Sequence, residues 1–168
     1  MNYQTYCESA EYLRARLGGF RPEVLLILGS GLGSLADTVS DAVAVPYGDV
    51  PHMRESTATG HAGRFVAGTL AGRRVLMMQG RLHVYEGYTA AEAAYPVRVA
   101  RLLGCERLIV TNAAGGVNTS FHVGDLMIIT DFIRLAGPNA LIGPNIDEFG
   151  PRFPDMSHVF DRNYIAVL

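Results

Sequence analysis

The sequence predicts an α/β fold in which a mixed central β-sheet is flanked by helices. Three observations carry that prediction. Short β-favouring apolar runs alternate with a stretch of helical period, two of those runs break into small-residue turns, and apolar residues make up 49% of 168 positions, enough for one sizeable core. The whole chain, residues 1–168, is read as a single domain.

In chain order, Tyr6, Ala10, Leu13 and Leu17 recur at helical spacing and Gly18-Gly19 follow, so the first element is an amphipathic helix with a glycine stop. Residues 24–28 form an unbroken apolar run that opens into Gly29-Ser30-Gly31-Leu32-Gly33-Ser34, as a buried strand entering a tight turn does. Residues 64–70 and 73–79 are two β-like runs joined only by Ala71-Gly72, which favours an antiparallel hairpin. Between 89 and 103 a helix is expected, with Ala93, Ala94, Val97, Ala100 and Leu103 on its apolar face and with Pro96 starting or kinking it. Residues 107–111 and 126–130 read as further strands. Residues 136–154 hold Pro138, Pro144, Pro151 and Pro154 with no sustained period, so they form a long loop, and the chain ends on a helix start capped by Ser157 or Asp161.

Composition excludes several classes of function. With 14 basic and 16 acidic residues, net charge −2, no cationic stripe is available to follow a nucleic acid. No apolar stretch approaches the roughly 20 residues that span a bilayer, and residues 1–19 lack the apolar centre of a signal peptide. Cys7 and Cys105 have no close spacing, so both are expected to be reduced structural thiols and the protein cytoplasmic. His52, His122 and His158 show no metal-ligand spacing.

Four segments can carry chemistry. The glycine turn at 29–34 leaves backbone N–H groups open to an anion, and a following helix N-terminus would add a favourable dipole. By itself it is also compatible with a ligand-free turn. In Gln79-Gly80-Arg81-Leu82-His83-Val84-Tyr85, alternation along an extended chain places Arg81, His83 and Tyr85 on one side. Arg81 can fork onto phosphate oxygens, His83 can donate to the same anion, and Tyr85 offers a ring face to a sugar; the bland reading is a polar strand edge. Thr111-Asn112-Ala113-Ala114-Gly115-Gly116 leaves backbone accessible at a strand's carboxyl end, and Gly60-His61-Ala62-Gly63 is a glycine-flanked loop histidine.

Together, Gly29-Ser30-Gly31-Leu32-Gly33, Gly60-His61-Ala62-Gly63-Arg64, the run MQGRLHVYEGY at 78–88 and TNAAGGV at 111–117 resemble the trimeric purine nucleoside phosphorylases in order and spacing, from about residue 20 onward. The resemblance implies the nucleoside phosphorylase sheet in incomplete form. It implies a phosphate site of Ser30, His61, Arg81, His83 and the backbone of Ala113, with Arg81 and His83 as the catalytic groups. Tyr85, Asn112, Ala113 and Phe149 would border the nucleoside, Phe149 serving a neighbouring subunit of a homotrimer. The implied reaction is pentosyl transfer in purine salvage: phosphate displaces the purine from the anomeric carbon, with phosphate as co-substrate and no metal or organic cofactor. Family members continue for roughly another hundred residues that carry the purine-gripping glutamate and asparagine, so the resemblance makes this chain an N-terminal part, truncated at its C-terminus.

Two other readings compete. A nicotinamide-dependent oxidoreductase built on the Gly29 turn requires an acidic residue ending a second strand, whereas Asp49 sits in a turn-like context beside Pro51 and His52. An inactive truncated subunit, or an interaction or regulatory module, would keep only the phosphate site.

Overall fold

In the computed structural model, which describes residues 1–56, 62–135 and 137–168, the apolar run VLLIL becomes strand β1 (Val24–Leu28) inside a five-stranded sheet. A strand without polar alternation needs cover on both faces, and Leu25, Leu26, Ile27 and Leu28 are all buried. The other strands are β2 (Ser40–Pro46), β3 (Arg64–Leu70), β4 (Arg73–Gln79) and β5 (Arg107–Val110), in the spatial order β2-β3-β4-β1-β5. β1 runs parallel to both β4 and β5, and β2, β3 and β4 are antiparallel neighbours, so the sheet is mixed as expected.

The β3–β4 hairpin turns on Ala71 at φ 48° and Gly72 at φ 73°, both left-handed, which suits the primed turns that match strand twist. Register follows the pleat. Leu26, Leu28, Val66, Val75 and Met77 share one face with Ala36 and Val39, while Leu25, Ile27, Phe65, Leu76 and Met78 fall on the other.

Sequence reasoning did not find β2. Its residues SDAVAVP are exposed except Val45, Asp41 takes a left-handed φ of 53°, and its pairing with β3 slips between Ser40 and Val43. Such an irregular edge strand exists because β3 offers it a ladder, not because its own pattern demands one. The opposite error occurs at 126–130. The expected strand there is absent: the segment has no regular structure, and Leu126 is 95% exposed. β-propensity alone does not hold a strand that has no partner among the described residues.

Helix α1 (Tyr3–Arg16) starts at Asn2, whose side chain accepts from Thr5 N, and buries Tyr6, Ser9, Ala10 and Leu13, with Leu17 just beyond its end. Helix α2 (Ala90–Leu103) begins with a reciprocal capping box between Thr89 and Glu92 and stops at Gly104 in the left-handed region. Two expectations for α2 are corrected. Pro96 lies inside the helix rather than starting it, and the buried face is Tyr95, Pro96, Val99, Ala100 and Leu103: of the residues expected there, Ala100 and Leu103 are buried, while Ala93, Ala94 and Val97 are only partly so. The reason is the neighbour: α1 packs against α2, the Tyr6 and Tyr95 rings stack with centroids 4.4 Å apart, and the buried Ser9 hydroxyl lies 2.7 Å from Tyr95 Oη.

The chain's contacts divide it into two compact units, Met1–Ala113 with Asn139–Gly143, and Ala114–Pro138 with Pro144–Leu168. The second unit contains the 3₁₀ turn Asp147–Phe149 and the short helix α3 (Arg162–Val167), capped by Asp161; Ser157 bonds Asp155 instead of capping. No described helix is long and apolar enough to cross a membrane.

Candidate anion site at the carboxyl ends of the parallel strands

Because β4, β1 and β5 are parallel neighbours, their carboxyl ends open at one rim of the sheet, where α/β proteins bind ligands. Residues 29–34, 80–86 and 111–113 leave that rim, and all three segments carry the motifs singled out from the sequence.

At the end of β1, a Cβ on Gly29 would lie 2.6 Å from the Thr111 carbonyl oxygen, so this position admits only glycine. The close approach serves a bonded contact: Gly29 N donates to Thr111 Oγ1 (2.8 Å), and Thr111 donates through Oγ1 (2.9 Å) and N (3.0 Å) to the Ile27 carbonyl. Gly31 then takes φ 86°, and Ser30 stands exposed at the tip. The helix that follows the turn is a 3₁₀ helix (Gly33–Thr38).

At the end of β4, Gly80 turns at φ 97° and its carbonyl accepts from the Tyr47 hydroxyl at 2.6 Å. Burial pushes the Tyr47 phenol well above its usual value, so it stays a donor at any physiological pH. Arg81 reaches across the rim, its Nη1 donating to the Thr111 carbonyl at 2.8 Å, while its Nε lies 3.4 Å from His83 Nε2. Since a guanidinium only donates, His83 Nε2 accepts there, which leaves the proton on Nδ1, facing Glu86 Oε1 at 3.0 Å. The same carboxylate oxygen accepts from His83 N at 2.7 Å, and the Glu86 side chain is only 3% exposed. The Tyr85 ring stacks on His83 with centroids 4.6 Å apart and is itself 78% exposed.

Arg81, His83 and Tyr85 are therefore gathered as expected, but by other means. Residues 84–86 form a 3₁₀ turn rather than extended chain, and the turn, not strand alternation, brings Tyr85 over His83. At the end of β5, Asn112 and Ala113 are both exposed, and Asn112 Nδ2 donates to the Ala113 carbonyl at 3.3 Å. His61 lies outside the described residues. Phe149 ends the 3₁₀ turn of the second unit and is half-buried. Among the described residues no group of three His, Cys, Asp or Glu side chains could hold a metal ion.

Sequence reasoning gave no role to Glu86 or Tyr47, and none to the Thr111 side chain. Glu86 was discoverable, since it stands three residues after His83 at capping-box spacing. Tyr47 carried no local signal: it reaches Gly80 only through the packing of the strands.

An exposed glycine turn, a guanidinium and an imidazole on one rim define an α/β protein that can hold a small oxyanion beside an aromatic face. A family model for the phosphorylase superfamily matches residues 23–168, and the chain belongs to that superfamily. It is 58% identical over 146 residues to purine nucleoside phosphorylase 1 of Bacillus subtilis, covering 87% of this chain and 54% of that protein. To the purine nucleoside phosphorylase of Bos taurus it is 50% identical over 164 residues, covering 96% of this chain and 56% of the relative. Isoform 2 of the Schistosoma mansoni enzyme, in complex with cytosine and ribose-1-phosphate, superposes with a TM-score of 0.91 at 41% identity, covering 99% of this chain and 59% of that one. The chain thus spans somewhat over half the length of the relatives it matches.

Proposed function

We propose that this chain supplies the phosphate half of a purine nucleoside phosphorylase, in a cytoplasmic homotrimer whose protomers each use the two compact units as one domain. The observation that carries the reading is the convergence of the Gly29 turn, Arg81 and His83 on the rim that also carries Thr111 and Asn112. High identity to proteins named for that activity supports it.

In this reading Ser30, His61, Arg81, His83 and the Ala113 backbone hold inorganic phosphate, and Tyr85, Asn112, Ala113 and a neighbouring protomer's Phe149 border the nucleoside. A phosphate oxygen attacks the anomeric carbon, the glycosidic bond breaks, and its electron pair leaves with the purine, which takes up a proton. The products are free base and ribose 1-phosphate. The phosphate dianion beneath the sugar both attacks and stabilises the positive charge that develops on the ring, so positioning and electrostatics supply the acceleration without metal or organic cofactor. Arg81 is held by Thr111 and the His83 ring by Glu86, which fixes both side chains before the anion arrives.

The test is calorimetric titration of inorganic phosphate into the protein and its Arg81→Ala variant, with inosine cleavage measured in parallel. Expected is saturable phosphate binding weakened tenfold to roughly hundredfold in the variant, as loss of a charged bidentate donor implies, with any inosine cleavage dependent on phosphate. Absence of phosphate binding, or binding indifferent to Arg81, would overturn the assignment. Inosine cleavage without phosphate would make the reaction hydrolysis.

A further inference from the structure

Gln79 is one of two polar residues in the described buried core, at 9% exposure, and the reaction proposed above assigns it no role. It ends β4, immediately before the Gly80 turn. Its carboxamide faces two directions. Nε2 donates to the Gly33 carbonyl at 2.8 Å, at the far end of the glycine turn, and Oε1 accepts from Arg64 Nε at 2.6 Å. Its main-chain carbonyl accepts from Gly63 N at 3.0 Å, two residues along the chain from His61. One residue therefore ties together three stretches of chain: the glycine turn at Gly33, the entry to β3 at Gly63 and, through its own backbone, the Arg81 turn.

The orientation of the amide is enforced. Arg64 can only donate, so Oε1 must face it and Nε2 must face Gly33, and Arg64 is itself 3.8 Å from Asp37 on the 3₁₀ helix. Gly33 offers no side chain of its own, and a Cβ there would meet the Gln79 side chain at 3.9 Å, an ordinary contact. The path of the glycine turn at this end is thus set by a hydrogen bond rather than by steric exclusion.

We infer that Gln79 is a positioning residue for the phosphate site: it fixes the glycine turn against β4, so that the turn's backbone donors and Arg81 address the same anion. The inference rests on the phosphate reading above. It predicts a cost in anion affinity out of proportion to any cost in stability, because the turn can relax outward without unfolding the sheet.

The experiment measures inorganic phosphate affinity and melting temperature in the full chain for Gln79→Met, Gln79→Glu and Tyr95→Phe. Gln79→Met removes both hydrogen bonds at similar volume; Gln79→Glu keeps an acceptor for Arg64 and loses the donor to Gly33. Tyr95→Phe deletes a hydroxyl that bonds Ser9 and the Thr5 carbonyl at 2.7 Å in the helix pair, away from the site, and calibrates a purely structural loss. Expected is phosphate binding weakened about tenfold in both Gln79 variants, as loss of a buried hydrogen bond at the turn implies, and unchanged in Tyr95→Phe at equal or lower melting temperature. Wild-type affinity in Gln79→Glu, or a loss in Tyr95→Phe as large as in Gln79→Met, overturns the inference and leaves the phosphate reading standing. Failure of the wild-type chain to bind phosphate overturns both. Should Gln79→Met not fold, Gln79→Glu and Arg64→Met, which frees the carboxamide to rotate, carry the same expectation.

Discussion

At Gly29 a single methyl group has no room. A Cβ at this position would meet only backbone, Thr111 O at 2.6 Å, Asn112 Cα at 2.8 Å and Thr111 C at 2.9 Å, so no side chain can swing aside to admit it. Gly29→Ala must push β1 and the 111–113 segment apart, and overpacking of this kind costs about 1–3 kcal/mol. The expected result is a lower urea midpoint with an unchanged slope, together with weakened phosphate binding. Gly115→Ala, where nothing lies within 4 Å, should leave the midpoint in place, and equal midpoints for the two variants would refute the close-approach argument. Cys105 shows the complementary case of a residue whose chemistry is switched off by its surroundings. Burial pushes its thiol up to about 12, so it serves as packing, which agrees with the structural role its lone spacing suggested.

Among the elements, α2 follows directly on the 3₁₀ turn of the site and packs on α1, and its start is electrostatically tuned. The Glu92 carboxyl is held below its ordinary value chiefly by the Thr89 backbone N–H, then by the Thr89 hydroxyl and by Arg54. A carboxyl depressed in the folded state stabilises the fold above its unfolded pKa, and that contribution is lost as pH falls through the folded value. Glu92→Ala is therefore expected to cost about 0.5–1 kcal/mol at neutral pH. The gap from wild type should shrink as the solution is acidified below the ordinary carboxylate range. Chemical denaturation at neutral and acid pH reads the gap directly, and a gap independent of pH would remove the electrostatic explanation. The same helix carries Pro96 without a break. Its missing N–H would have met the Glu92 carbonyl, and packing of Tyr95, Val99 and Leu103 holds the turn that this bond does not.

Over the whole molecule, cohesion is unevenly spread. Every residue of the described buried core lies between Tyr6 and Cys105, in the first compact unit, whereas the described residues of the second are almost all exposed. Segments with few buried apolar contacts open at low free energy. Limited trypsin digestion under native conditions should cut after Arg134, Arg152 or Arg162 well before any arginine of the sheet, and simultaneous cleavage across the chain would contradict this division. β5 belongs to the same picture: Leu108, Ile109 and Val110 are about half exposed although the strand is apolar.

Local signals were enough for the elements that depend on themselves. The unbroken apolar run specified β1, the two-residue Ala71-Gly72 link specified the hairpin, the helical spacing of Tyr6 to Leu17 specified α1, and glycine next to a strand end marked the rim. Legible in the same way were Arg81, His83 and Tyr85 as a convergent set. Tertiary structure decided what depends on a partner. β2 is a strand because β3 pairs with it, residues 126–130 are not one because no described strand pairs with them, and α2 buries Tyr95 rather than Ala93 and Ala94 because Tyr6 lies opposite. For the site, Tyr47 on Gly80, Thr111 on Gly29 and Gln79 on Gly33 join residues 33, 82 and 46 positions apart, respectively. Periodicity reports which face a residue takes along its own element, and only the folded chain reports which distant donor meets which acceptor.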